Sequence, residues 1–340
     1  MECWKFIPTA VLIIIINVSC TSVISSDPEL NTEEMLEYCL IKTKLSIKSL
    51  DDADKSPRNI EKGETKWGTT NVRNWTSGFW PGILWYAYEY SKDEDIKEAA
   101  EKFTAPLKII SETSAGNHYI GLLVYFSYGN GYLLTGSEEY KKIILAAADT
   151  LATLFNPNVG QSYPGQKKKE YSHNTIIDNM MNLELLYWAS KNGGSQRLYD
   201  IASSHAEVTM KNIVRSDNST FHLGNFDRVT GEFIKGYTHQ GYSASSLWAR
   251  GQAWGIYGFA ISARETGRKD FLNTSINLAN HFLERLPEDG IPYWNTKCTK
   301  GCLCRSYCSL RDAGNIWVDR RPESEGQNYK FCQITNRKTS

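Results

Sequence analysis

Asp178 is the residue around which chemistry can be organised. It stands in the segment 174–190, NTIIDNMMNLELLYWAS, among Ile176, Ile177, Met180, Met181 and Leu183, with Leu185, Leu186, Tyr187 and Trp188 following. The segment is apolar on nearly every side, which predicts a helix enclosed by other helices. A carboxylate in the first turn of such a helix is either an N-terminal cap or a working group. A second stretch, 237–257, reads YTHQGYSASSLWARGQAWGIY and offers His239, Gln240, Tyr242, Trp248, Arg250, Gln252 and Trp254. Arg250 and Trp254 are four residues apart and share a helix face. A guanidinium beside an indole sets a carboxylate fork next to a stacking platform, a pair that suits an acidic sugar. An interior arginine paired with a structural acid would leave the same text. His222 and Gln240 flank this region and can hydrogen-bond hydroxyls or hold a water. Upstream, NWTSGFWPGILW at 74–85 sets Trp75, Phe79, Trp80 and Trp85 around a helix start, with Pro81 in the first turn. Trp75 is a candidate sugar platform, whereas Trp80 and Trp85 read as core.

The elements that must hold these groups are helical. From about Thr32 to Glu288 two kinds of helix alternate. One kind is amphipathic: Ile96, Ala100, Phe103, Leu107 and Ile110; Tyr140, Ile144, Ala147, Leu151 and Leu154; Leu272, Ile276, Ala279, Leu283 and Leu286. Leu198, Ile201, His205 and Val208 form a similar stripe, so His205 reads as a satisfied core histidine. The other kind, at 78–90, 119–135, 175–190 and 246–263, is rich in aromatics, glycine and small residues all round. An enclosed helix followed by an amphipathic one, at a period of roughly 60 residues, predicts nested hairpins closing into a ring, an α/α toroid. No alternating strand pattern of useful length is seen. Two long connections, 156–173 and 217–240, read as functional loops, and Lys167, Lys168 and Lys169 as a solvated run.

Composition narrows the partners. The 38 basic residues balance the 38 acidic ones, so nothing global points to nucleic acid. With 10 Trp and 19 Tyr, the chain leans toward stacking on sugar faces or simply toward a large aromatic core. At the N-terminus Lys5 precedes a short apolar run, Val11 to Val18, and then small residues, which reads as a secretory signal peptide over 1–22. The run is too short for a comfortable membrane span. Sequons at Asn74, Asn218 and Asn273 fit a secreted or lysosomal lumenal route. Of the eight cysteines, Cys39 reads as a small core residue, and Cys298, Cys302, Cys304, Cys308 and Cys332 crowd an irregular tail, 296–340. The tail's spacing does not match a zinc site, and a disulfide knot or a foreign 3′ end would each account for it. The chain thus divides into signal peptide, a 30–295 barrel and the tail.

NWTSGFWPGILW, IIDNMMNLELLYW and HQGYSASSLWARGQAWGIYGFA resemble the unsaturated glucuronyl hydrolases, glycoside hydrolase family 88, over roughly residues 60–295. The related unsaturated rhamnogalacturonyl hydrolases share the architecture. The resemblance implies an (α/α)6 barrel of six hairpins, no cofactor and no metal. It implies a substrate too: an oligosaccharide bearing a 4,5-unsaturated uronic acid at its non-reducing end. An acid protonates C4, water adds at C5, and the hemiketal that results opens and expels the remaining sugar. The family acid matches Asp178; His222, Gln240, Arg250 and Trp254 match residues lining the substrate or water site, and Trp75 a stacking aromatic. A proton donor at neutral pH needs a raised pKa; apolar enclosure pushes Asp178 that way and a helix N-terminus opposes it.

The text departs from the family twice. A second family aspartate follows a histidine at a helix start; here Asn117-His118-Tyr119-Ile120-Gly121 puts Tyr119 there, and a tyrosine carries no charge at ordinary pH. After Pro292-Tyr293-Trp294 the family continues with further barrel helices, whereas this chain enters its cysteine-rich tail. About nine helices of the twelve are countable, so the toroid is expected to be incomplete. The alternative reading is an impaired relative that binds uronate sugars without turning them over. A two-carboxylate glycosidase is weaker, because no second acid stands in a comparable motif.

Overall fold

The computed structural model describes residues 31–165, 172–288 and 290–295. The signal-peptide segment, the lysine run 167–169 and the tail with its five cysteines lie outside the described residues. Nine α-helices run through the described residues: α1 (Thr32–Lys48), α2 (Phe79–Ser91), α3 (Glu94–Thr104), α4 (Asn130–Thr135), α5 (Glu138–Ala152), α6 (Leu183–Lys191), α7 (Gln196–Asn212), α8 (Ala249–Thr266) and α9 (Lys269–Leu283). A π-helical stretch, Gly121–Gly129, leads into α4. The helices pair as hairpins, α2 with α3, the π-helix with α5, α6 with α7 and α8 with α9. The inner members touch in series, α2 to the π-helix, the π-helix to α6, and α6 to α8, so the four hairpins form an arc of the layered α/α toroid that the periodicity predicts.

The local reasons are those of ordinary helices. Ser137 and Asp93 cap α5 and α3, their side chains accepting from Tyr140 N and Asp95 N, and acidic residues fill both first turns. Helix α2 ends at Lys92 in the left-handed conformation, and α8 ends at Gly267 in the same way. Glycine lets the inner layer close up. A Cβ at Gly78 would stand 2.4 Å from the Leu122 carbonyl oxygen, and one at Gly121 would stand 2.4 Å from Asn182 Oδ1. Trp85, Tyr128, Tyr187, Phe259 and Phe271 fill the interior, with Trp85 Nε1 donating to Thr104 Oγ1 (3.0 Å) and the Tyr128 hydroxyl to Ala105 O (2.9 Å).

Four readings need correction. The run 174–190 is not one helix: Ser172–Ile176 is a strand, Ile177–Asn182 a 3₁₀ turn, and α6 begins only at Leu183. The two long loops carry short strands, which their Gly, Asn and polar content hides from an alternation test. These are β3 (Phe155–Asn156), β4 (Gln161–Ser162), β5 (Ser172–Ile176), β6 (Leu223–Asp227) and β7 (Phe233–Tyr237), after β1 (Lys55–Asn59) and β2 (Gly68–Asn71). The buried face of α9 is Phe271, Ser275, Leu278, Ala279, His281 and Phe282, so Ala279 is buried as expected while Leu272 and Ile276 face outward. Cys39 is exposed, because α1 packs on α2 with Thr43 its one buried residue.

Strands β5, β6 and β7 form an antiparallel sheet in which Ile176 pairs with Leu223 and Leu223 with Tyr237. That register sets three chain segments side by side at one end of the sheet. Asp178 follows β5 by two residues, His222 precedes β6 by one, and Gln240 follows β7 by three.

Candidate active site

The 3₁₀ turn is held to the sheet by Ile177 N donating to His222 O at 3.0 Å, which turns the Asp178 side chain inward. Asp178 is 8 % exposed. Burial pushes its pKa up to about 6, against the opposing pull of the Arg250 charge, its own backbone N–H and the indole N–H of Trp254. The competition between apolar enclosure and the turn's N–H groups is therefore won by enclosure.

His222 is buried beside it and does two things. Its Nδ1 accepts from the backbone N–H of both His239 and Gln240, each at 3.1 Å. An acceptor nitrogen carries no proton, so the ring is neutral with its hydrogen on Nε2. Burial, followed by the charges of His239 and Arg250, lowers its pKa to about 3, in keeping with that tautomer. Nε2 faces Asp178 Oδ2 at 3.7 Å. Neither atom has a hydrogen-bond partner among the described residues. The gap is too long for a direct hydrogen bond and right for one oxygen to touch both.

Arg250 enters from the first turn of α8. Its Nη2 donates to Gln240 Oε1 at 2.6 Å, and its guanidinium lies over three indoles, Trp248 at 4.6 Å, Trp75 at 5.2 Å and Trp294 at 5.4 Å. Trp254, one turn further along α8, donates to Asp178 as noted. Trp75 meets Phe79 edge-on and the Tyr119 ring at 6.3 Å. All the expected site residues, Asp178, His222, Gln240, Arg250, Trp254, Trp75 and Tyr119, are thus brought to one region.

Tyr119 is half-buried, stacked on His118 at 4.2 Å. Burial and the Asp178 charge raise its pKa, Arg250 pulling the other way, so its hydroxyl stays protonated. It brings a neutral donor to the site where a carboxylate would bring charge.

Other candidates fall away. Gln252 is fully buried, its amide donating to Asn218 O and Leu278 O, a structural tie between α8 and its surroundings. Tyr242 is 72 % exposed and His239 also faces outward. His205 is the core histidine expected, its Nδ1 accepting from Ser162 N. The residue that sequence reasoning missed is Trp294, which stacks near Trp248, faces Arg250 and donates Nε1 to Gln240 O at 2.8 Å. Its place in a short Pro-Tyr-Trp run was the only signal.

Helical hairpins in series, with an enclosed carboxyl, a neutral imidazole and a guanidinium boxed by indoles at the site, define an α/α toroid-type protein. The Glycosyl Hydrolase Family 88 model matches residues 48–291. An unsaturated glucuronyl hydrolase of Bacillus sp. (strain GL1) is 37% identical over 241 residues, 70% of this chain and 64% of that protein. The crystal structure of an unsaturated glucuronyl hydrolase specific for heparin superposes with a TM-score of 0.74 at 35% identity, covering 78% of this chain and 71% of the other. That of an unsaturated glucuronyl hydrolase mutant from Streptococcus agalactiae, complexed with dGlcA-GalNAc6S, gives 0.67 at 29% identity, covering 86% and 75%. The chain belongs to Glycosyl Hydrolase Family 88, and it spans a little under two thirds of the length of the Bacillus relative.

Proposed function

We propose that this chain hydrates the C4=C5 double bond of an unsaturated glucuronyl residue at the non-reducing end of a glycosaminoglycan-derived oligosaccharide. The observation that carries the reading is the pair Asp178 Oδ2 and His222 Nε2, 3.7 Å apart and without hydrogen-bond partners among the described residues, beside a boxed guanidinium. Arg250 and Gln240 take the uronate carboxylate, and Trp75 and Trp254 bound the sugar ring. Protonated Asp178 gives its hydrogen to C4 while charge develops at C5. A water oriented by the N–H of His222 adds its oxygen to C5 and returns a proton to the Asp178 carboxylate. The hemiketal then opens and releases the next sugar, so the acid ends as it began. Loss of the conjugated alkene's near-ultraviolet absorbance, with an unsaturated chondroitin or heparin disaccharide, measures the reaction. Purified protein that binds the disaccharide and leaves the band intact would refute it. An unsaturated galacturonyl-rhamnose substrate hydrated faster would shift the reading to the rhamnogalacturonyl relatives.

The pH dependence follows from one acid. The reactive form needs Asp178 protonated, so kcat/KM is expected to fall about tenfold per pH unit above about 6. Below that it stays level to roughly pH 4, because His222 remains neutral down to about 3 and Tyr119 does not ionise. A rate profile from pH 4 to 8 checks this, and a maximum above pH 7 would contradict it.

Tyr119 favours a second reading, binding without turnover. On it, the wild-type chain leaves the absorbance band unchanged and Tyr119→Asp gains measurable hydration. A mutant rate no higher than a wild type that is already active removes that reading. The acid range, the apolar segment 11–18 and the exposed sequon residue Asn273 on α9 support a secreted or lysosomal, glycosylated protein with a signal peptide over 1–22. Mass spectrometry of the mature N-terminus and of Asn273 tests it.

A further inference from the structure

We infer that Arg215 is a positioning residue for the uronate-binding pair Gln240–Arg250, acting through the strap 238–248, which carries Gln240 and leads into the first turn of α8, where Arg250 stands. The inference rests on the hydratase reading for its ligand but not for its geometry. The segment 213–222 is a tight hairpin: Val214 bridges Thr220, Arg215 N donates to Ser219 O at 2.7 Å and Phe221 N to Ile213 O at 2.9 Å. Two side chains of this hairpin grip the strap at opposite ends. His222 takes the near end by accepting from His239 N and Gln240 N. Arg215 takes the far end, its Nη2 donating to Ala244 O at 2.6 Å and to Ser246 O at 3.2 Å.

Arg215 is itself fixed. Nη1 donates to Ser219 Oγ at 2.7 Å, and Ser219 Oγ in turn donates to Asp217 Oδ1 at 2.6 Å. The guanidinium lies over the Phe221 ring at 4.1 Å, next in sequence to His222. A planar fork so held is a rigid clamp, and a lysine would keep only a point charge.

The far end matters because the chain turns there into the binding groups. Ser246 is buried, stands two residues before Trp248 and four before Arg250. Its Oγ accepts from Ser243 N at 2.9 Å and donates to Ser243 O at 2.7 Å, closing a small turn that presents both carbonyls to Arg215. Together with the Trp248–Asn295 bridge and Ala249 N donating to Trp294 O at 3.2 Å, the anchored turn at 246 leads into the start of α8, from which the Arg250 guanidinium reaches Gln240. Trp294 Nε1 also holds Gln240 O, and the middle of the strap faces solvent, with Tyr242 72 % exposed. Arg215 touches none of the groups assigned to chemistry, so its removal should act on binding and leave the proton transfer alone.

Arg215→Met and Arg215→Lys are compared with wild type by amide hydrogen exchange and by titration with an unsaturated chondroitin disaccharide. In Arg215→Met the amides of Ser243 and Ser246 are expected to exchange about tenfold faster, while those within α8 such as Gln252 keep wild-type rates. The disaccharide Kd, or KM where turnover is seen, rises about tenfold, and kcat changes by less than about twofold. Arg215→Lys, which keeps the charge and the stem over Phe221, recovers part of both and serves should the methionine variant not fold. Wild-type exchange rates at 243–246 in both variants would overturn the clamp. Faster strap exchange with unchanged affinity would overturn its role in positioning, and a uniform rise in exchange across the chain would reduce Arg215 to a structural residue. Wild-type protein that binds no disaccharide would sink the functional reading instead, whatever the exchange result.

Discussion

Asp178→Asn abolishes hydration and raises the melting temperature of the same protein. The rate loss comes from removing the carboxylic acid assigned to protonate C4; kcat should fall by about 10³, within the usual range for a general acid, while the disaccharide still binds. The stability gain comes from the environment that makes the residue useful. Asp178 has its folded pKa raised from 3.8 to about 6 by burial. The folded protein therefore holds this proton more tightly than the unfolded chain does. The stabilisation is complete below pH 4 and disappears as pH rises through 6, so near neutrality the ionised, enclosed carboxylate costs up to about 3 kcal/mol. Asparagine cannot ionise, and its carbonyl can still accept from Trp254. Thermal melts at pH 4 and pH 7 check the sign: the variant should exceed wild type by several degrees at pH 7 and by little at pH 4. A gap independent of pH, or retained turnover, would contradict the assignment of Asp178 as the acid.

The helices were legible because their burial is periodic. Ile96, Ala100, Phe103, Leu107 and Ile110 are all buried, although Pro106 turns the last part into a 3₁₀ helix from Ala105. In α9 the expected stripe held at Ala279 and failed at Leu272 and Ile276, which are large and apolar yet face outward, as apolar residues of an outer layer often do. The assembly of the site was not legible. Asp178, His222 and Gln240 meet through the register of three short strands whose sequences, SHNTI, LGNFD and FIKGY, carry too few apolar residues to announce a sheet. Nor could the text reveal that His222 spends one nitrogen on two backbone amides and aims the other at the acid, since that depends on where the chain after β7 passes His222. The long motifs named most of the residues; the distances that bring the Asp178 carboxyl, the His222 imidazole and the Arg250 guanidinium together belong to the tertiary structure.

Arg250→Met should raise the Kd for an unsaturated uronyl disaccharide by about 10² to 10³, the cost of truncating one partner of a sequestered charge pair. Arg250 lies in the first turn of α8, where the helix dipole disfavours a cation, and its guanidinium is flanked by Trp248, Trp75 and Trp294. A position so unsuited to a cation is retained for what the charge does, and methionine, similar in length and uncharged, leaves stability equal or higher. The same substitution acts on Asp178. Arg250 is the foremost influence lowering that pKa against burial, so its removal lets the acid climb above about 6 and moves the alkaline fall of the rate profile upward. Affinity and pH profile thus shift together from a single change, which a merely misfolded site would not produce. The discriminating ligand is the disaccharide methyl ester. Wild type should prefer the free carboxylate strongly and Arg250→Met should bind the two forms alike, whereas a wild type that already binds both equally would mean that the guanidinium serves the indoles and Gln240 rather than an anionic sugar.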